Sequence, residues 1–358
     1  MTTIGRAFTG HGNRLTPIRL ILAAAVMAEH AIIVTQGPGY LPPLAVHGWS
    51  ISFAAVNGFF ILSGFLIAGS IERRRDIFAY ISSRFLRIMP ALVFLALVAV
   101  IVIGPVFTTA SSEAYWSSAE TWIFPVQVLA FLDTSQGPYG LFQDLPWAGE
   151  FSAPLWTLRY EMLAYVGAAA LFFLPLPWGR MSHLVILAAT SAIYLAVSLW
   201  WGDAPAFVVS SARLSAAFSL GMVAYSWRNL LPVSPWIAVV ALPFWWASGS
   251  MPWAETFLNL ALMSLLFWLA LAPLQGLPTW SKIPDWSYGV YIWHYPIMQL
   301  TIWINREAEP VLVAAIGFPA SILLAAFSWT FVEKPALAQK SRLSRYLRKL
   351  FVDGPREK

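Results

Sequence analysis

The chain has 358 residues, of which 59% are hydrophobic and only 11% charged, with a formal net charge of +5 and no cysteine. That mixture is far from the composition of a water-soluble domain and reads as a polytopic membrane protein. Without cysteine there is no disulfide, no thiolate metal site and no cysteine nucleophile.

About 20 apolar residues cross the hydrocarbon core of a bilayer. The sequence divides into ten such runs, at 16–36, 50–70, 88–108, 153–175, 183–201, 206–227, 235–248, 256–274, 286–304 and 310–332. The seventh is short and broken by proline. The expectation is an all-α, polytopic helix bundle of about ten transmembrane helices filling residues 1–335, followed by a basic tail over 336–358. Glu29 and His30 interrupt the first run and no small-residue cleavage pattern follows it, so it reads as a retained span. Lys and Arg beside spans stay on the cytoplasmic side. With an inside N-terminus, eighteen of the twenty-two Lys and Arg fall on inside segments and Arg306 alone falls outside. The outside segments carry Glu113, Glu120, Asp133, Asp144, Glu150, Asp203, Glu255, Glu307 and Glu309. Both termini are therefore expected in the cytoplasm.

In chain order, the first span (RLILAAAVMAEH) opens on Arg19 and closes on Glu29 and His30. Eleven residues at 100° each come within about 20° of three turns, so Arg19 and His30 share one face about 16 Å apart along the axis. The second span carries Asn57 in its outer half and Ser63-Gly64 in its inner half, where small residues serve close helix packing. The connection ERRRDIFAYISSRFLRIMP follows. Arg73, Arg74 and Arg75 fit the inside-positive signal. Arg84 and Arg87, at i and i+3, share a face and serve equally as a topology signal or as a clamp for a phosphate-bearing ligand. Residues 111–151 read as an outside loop whose Pro-broken patch TWIFPVQVLAFLD is interfacial or re-entrant, shaping an outside cavity.

Ionisable groups at membrane depth are costly and face a cavity or one another. His30, Asn57, Arg159 and Glu161 of the fourth span, and Arg213 of the sixth, all fall on the order of 10 Å below the outer edge. Five polar groups at one depth read as one site. Arg19, Arg84 and Arg87 suggest a basic vestibule toward the inside, with His294 of SYGVYIWHYP near mid-depth. His294 alone reads as a buried hydrogen-bonding residue, whereas His30, accompanied by Glu29 and Arg19, reads as a catalyst. The span histidines lack an HxxxH or HxH spacing, so no metal is expected. The tail KSRLSRYLRKLF sets Leu343, Tyr346, Leu347, Leu350 and Phe351 on one face among basic residues, as an amphipathic helix on the inner leaflet would.

Six pieces in this order give the chain a likeness to a known family: the Arg19-to-His30 span, NGFFILSGFLI, SRFLRIMP, LWTLRYE, SYGVYIWHYP and FVEKP. From Arg19 to about Pro335 it resembles the integral-membrane acyltransferase-3 family, whose members O-acylate sugars of exopolysaccharide, O-antigen and Nod factor. It departs from the common pattern at Asn57, where Asp is usual, and at Arg159-Tyr160 within the WSLSVE-like motif.

The resemblance implies a bacterial inner-membrane enzyme that takes an acyl group from cytoplasmic acyl-CoA, with acetyl-CoA the default co-substrate. The acceptor is a glycan hydroxyl, lipid-linked or free. Under this reading Arg84, Arg87 and Arg19 hold the CoA phosphates. His30 is the general base, oriented by Glu161 or Glu29, and a covalent acyl-His intermediate serves as well. Arg159 or Arg213 stabilises the oxyanion, and Asn57, Arg213 and His294 face the acceptor. The bilayer is the expected partner and nucleic acid is not. A glycan or lipid-linked sugar transporter would also bury charges, but the chain has no inverted repeat of the kind transporters use.

Overall fold

The computed structural model describes residues 2–8, 13–40, 45–132, 135–171, 179–274 and 284–353. Among them the ordered structure is helical, with isolated bridges and no strand. A helix occupies each of the ten apolar runs. In chain order these are α1 (Leu15–Gln36), α2 (Ile51–Arg74), α3 (Ile77–Val98), then α4 (Ala119–Leu129) in the segment between the third and fourth runs, and α5 (Trp156–Ala170), α6 (Arg180–Trp200), α7 (Ala206–Ser226), α8 (Trp236–Ser248), α9 (Ala254–Leu271), α10 (Ser287–Ile304) and α11 (Pro310–Ser328). The tail forms α12 (Lys340–Arg348).

By length and hydropathy, seven described helices suffice to cross a bilayer, and the chain is a multi-pass membrane protein. α5 and α8 are shorter, and α10 carries His294, Gln299 and three tyrosines in its 18 residues. The end of the fourth expected span beyond 171, Asp133 and the tail beyond 353 lie outside the described residues.

The chain forms two compact units, Met1–Val26 with Pro43–Arg75 and Tyr160–Asp285, and Met27–Pro42 with Asp76–Arg159 and Trp286–Lys358. The first is built on α2 against α7, with α6 on α7 and α8 on α9. α2 and α7 meet backbone to backbone. A Cβ on Gly64 would stand 1.9 Å from the Phe218 carbonyl oxygen, and one on Gly221 would stand 2.0 Å from the Ile61 carbonyl oxygen. Hydrocarbon offers no hydrophobic drive between helices, so close backbone approach through small residues supplies the packing energy. The Ser63-Gly64 pair serves that purpose, as its composition suggested.

The second unit holds α3, α4, α10, α11 and the tail. Asp76 caps α3, its carboxylate accepting from the backbone of Phe78 and Ala79 at 3.0 and 3.2 Å. Farther along, α3 widens into a π turn at Ala99–Ile103. The Tyr115 hydroxyl donates to the Val100 carbonyl there at 2.8 Å, giving a partner to a carbonyl that the widened turn leaves under-used. α12 lies along α3, where Arg348 pairs with Asp76 at 2.8 Å, while Tyr346, Leu350 and Phe351 stay exposed.

Replacing Gly64 or Gly221 by Val forces α2 and α7 apart. Each variant is expected to lose about 2 kcal/mol or more of stability, read as a lower melting temperature of the purified protein than wild type.

Candidate functional site

His30, in the second turn from the end of α1, and His294, at the centre of α10, form a polar pair within the second unit. Their Nδ1 and Nε2 atoms are 2.9 Å apart, and the rings lie 13° from parallel with centroids 5.2 Å apart. That centroid spacing matches the N···N distance plus two ring radii, so the imidazoles meet edge to edge in one plane.

The tautomers follow from the third member of the chain. His294 Nδ1 is 3.1 Å from the Val290 carbonyl, which only accepts, so Nδ1 carries the proton. In neutral His294, Nε2 is then an acceptor, and His30 Nδ1 must donate to it. His30 Nε2 is left with its lone pair. A backbone carbonyl thereby fixes, through one intervening ring, the basic nitrogen of the first span.

The surroundings hold this pair in place. Tyr295 packs edge-on against His30 with ring centroids 5.6 Å apart, and its hydroxyl donates to the Glu150 carboxylate. Gln299, one turn farther along α10, donates to the Glu150 carbonyl at 2.7 Å, and Trp147 donates its indole N–H to the Ile33 carbonyl of α1 at 2.9 Å. The segment between α4 and α5 is thus tied to both helices that bear the histidines. Thr157 and Tyr291 share a hydroxyl hydrogen bond of 2.8 Å that fastens the start of α5 to α10. Burial pushes the Glu150 carboxyl above its ordinary range, against the opposing effect of the Tyr295 hydrogen bond.

The arginine pair expected at the inner end of α3 lies in the same unit. Arg87 reaches Glu333 of the FVEKP motif at 3.5 Å and lies over Trp329 and Tyr288, 5.6 and 5.9 Å from their centroids. Glu333 is 1% exposed and also accepts from Ser328 at 3.2 Å. Arg84 is half-buried, with Nε 3.4 Å from the Ser83 hydroxyl. Arg159 donates to the Leu132 carbonyl, in the segment after α4.

In the first unit, Asn57 and Arg213 do meet. Asn57 Nδ2 donates to Glu255 at 2.7 Å and to Asn259 at 2.9 Å, while its oxygen accepts from Arg213 at 3.1 Å. The guanidinium packs over Phe53, 3.7 Å from the ring centroid, and stands 4.0 Å from Glu255. A cavity of about 70 Å³ borders Glu255, Asn259 and Tyr194. Glu255, read from sequence as an outside-loop charge, is instead buried in the first turn of α9, because Asn57 and Arg213 give its carboxylate partners there. Arg19 pairs with Asp285 at 3.0 Å, and Glu161 accepts from the Tyr165 hydroxyl one turn on. Glu29 is buried. No group of three or more His, Asp or Glu side chains among the described residues is arranged to hold a metal.

Glu255, Asn259, Tyr295, Glu150 and Gln299 escaped the sequence reading. Asn259 at i+4 from Glu255 on an apolar helix was the signal available for the first two.

Replacing Glu333 by Ala strands the Arg87 charge in a partly buried site. The expected loss is about 3 kcal/mol, seen as a lower melting temperature, with Glu333→Gln losing less. Glu150 gives a pH signature. Its folded pKa lies above the unfolded value of 4.5, so its contribution to stability is full below that pH and lost as pH rises through the folded value. The wild-type melting temperature should decline over that interval, and Glu150→Gln should flatten the decline.

Comparison with known proteins identifies the family. An acyltransferase domain of the acyltransferase-3 family matches residues 14–330. Nodulation protein 10 of Rhizobium leguminosarum bv. viciae is 27% identical, over 96% of this chain and 98% of its own. An O-acetyl transferase of Shigella phage Sf6 is 25% identical over 92% and 97%, and the exopolysaccharide production protein ExoZ of Rhizobium meliloti is 27% identical over 80% and 87%. No solved structure matches the chain. Spanning helices, the ordered motifs and the family match together make the chain a member of the acyltransferase-3 family, and an acyltransferase.

Proposed function

We propose that this acyltransferase moves an acetyl group from cytoplasmic acetyl-CoA to a hydroxyl of an exported or cell-surface glycan, with His30 as general base and His294 as the residue that positions it. The observation that carries this reading is the Val290–His294–His30 hydrogen-bond chain, which leaves His30 Nε2 unprotonated. Its relatives support the acceptor class, since one is an O-acetyl transferase and another an exopolysaccharide production protein.

In the proposed step the acceptor hydroxyl gives its proton to His30 Nε2 while its oxygen attacks the thioester carbonyl. The tetrahedral intermediate collapses, the C–S bond breaks, and the CoA sulfur leaves with the proton from Nε2. The imidazolium that forms on His30 keeps its Nδ1–H on His294. Tyr295, locked by Glu150, fixes the ring edge-on, so the nitrogen that accepts the proton is oriented before substrate arrives.

Arg84 and Arg87 are proposed to hold the CoA phosphates from the inner side. Arg87 is pre-set by Glu333 and two aromatic faces. Arg159 is the proposed oxyanion donor. Asn57 spends both amide hydrogens and its oxygen within the Arg213–Glu255–Asn259 cluster, so its proposed role is to hold Arg213. Glu161 and Glu29 are assigned to shaping the polar surroundings, since His30 Nδ1 is oriented by His294. The orientation that fits these roles has both termini cytoplasmic in a bacterial inner membrane.

The test is the mass of surface glycans from cells lacking the gene, complemented by wild type, His30→Ala or His294→Gln. A fixed acetyl increment restored by wild type, absent with His30→Ala and reduced about 10²–10³-fold in rate with His294→Gln supports the assignment. Acylation retained by a folded His30→Ala protein removes the base. Glycans unchanged in acyl mass by loss of the gene remove the acceptor class.

A further inference from the structure

A polar cavity of the first unit has no part in the chemistry above. It encloses about 870 Å³ where the C-terminal ends of α2 and α7 meet the N-terminal end of α6. Arg75, Arg180 and Arg228 all line it, with Glu72 the one carboxylate among its lining residues.

That carboxylate is already spoken for. Arg228 grips Glu72 through both of its terminal nitrogens, at 3.1 and 3.2 Å, while lying over the Tyr225 ring, 4.0 Å from its centroid. The pair is a neutral, rigid wall. Arg75 and Arg180 have no carboxylate partner among the described residues. Arg180 is steadied by the face of Trp227, 4.5 Å from its centroid, which restrains the side chain and leaves its N–H donors available. Arg75 stands at the left-handed C-cap of α2, with φ of 41°. His183 and Ser226, bonded to each other at 2.9 Å, add a neutral polar patch to the same lining.

Asn229 and Tyr225 add further polar atoms, and Ala68, Ile71 and Leu171 form an apolar flank. Two uncompensated guanidinium groups beside neutral hydrogen-bonding groups and an apolar flank suit an anion that carries a hydrophobic or extended arm. Arginine prefers oxyanions it can bond in pairs, and phosphate is the common one. The helices that form the cavity are spanning helices and these are their ends, the level at which phosphate groups of a bilayer lie.

We propose that this cavity is a phosphate-binding site, in which Arg75 and Arg180 hold a phosphate mono- or diester and Ala68, Ile71 and Leu171 take its apolar arm. Arg75 thereby gains a role beyond the inside-positive signal it supplies with Arg73 and Arg74. The assignment is independent of the catalytic reading of His30. Two sources carry this chemistry, an anionic phospholipid of the bilayer and a soluble nucleotide.

The full-length protein in phosphatidylcholine nanodiscs, with and without phosphatidylglycerol, separates them. Native mass spectrometry counts retained phosphatidylglycerol, and displacement or thermal-shift titration with adenosine 3′,5′-bisphosphate reads the nucleotide. Loss of a charge-assisted contact is expected to weaken binding about tenfold per arginine, so Arg75→Gln/Arg180→Gln should lose most of one ligand while Arg75→Lys/Arg180→Lys keeps it. Loss of phosphatidylglycerol retention assigns the lipid, and loss of bisphosphate binding assigns the nucleotide. Because Arg75 is exposed at a helix end, Arg75→Gln alone serves if the double variant does not fold. Wild type binding neither probe, or folded variants binding both as wild type does, overturns the proposal.

Discussion

The constraint on which this structure depends is that a low-dielectric bundle tolerates an ionisable or polar side chain only where a partner holds it. Several polar residues in spanning helices therefore act as pins between helices distant in sequence. His30 binds α1 to α10 across 264 residues, Asn57 and Arg213 bind α2 to α7, and Arg87 binds α3 to the π turn that follows α11. The apolar remainder packs by shape, as at Gly64 and Gly221, and that packing is specific only because the polar pins fix the register.

The same rule accounts for what the sequence disclosed. Spans were legible because twenty apolar residues have few alternative uses, and a helix stands in each expected run. His30 was legible because its ring interrupts such a run. Its partner was not assigned, since pairing His30 with His294 is a tertiary fact and His294 alone looks like many buried histidines. Grouping by depth brought Asn57 and Arg213 together, yet missed Glu255. An acidic residue at the start of a helix satisfies the N-terminal dipole and reads as an outside cap, and only Arg213 and Asn57 explain why it is buried.

The two arginine settings show how context sets the meaning of one residue type. Arg87 and Arg213 lie in their clusters beside carboxylates, so each charge is offset within the fold. Arg75 and Arg180 sit at helix ends beside a large cavity, with no carboxylate among the described residues paired to them. A guanidinium that is restrained but not neutralised is prepared for an anion that arrives later, because the restraint removes the entropic cost of ordering it.

The choice of an imidazole rather than a carboxylate to orient His30 follows from the same electrostatics. A histidine–aspartate pair would hold a buried anion throughout the cycle, at a standing desolvation cost. A histidine–histidine pair is neutral at rest. In the proposed reaction the pair gains one positive charge on taking the acceptor's proton, held on the His30 ring while its Nδ1–H stays on His294 Nε2. That charge appears together with the oxyanion on the reacting carbonyl and disappears when the thiol leaves. Counter-charge is then present in the transition state and absent from the ground state, so the interaction lowers the barrier without tightening the resting complex. The Val290 carbonyl is what makes this possible, because it fixes which nitrogen of each ring holds a proton before the reaction begins.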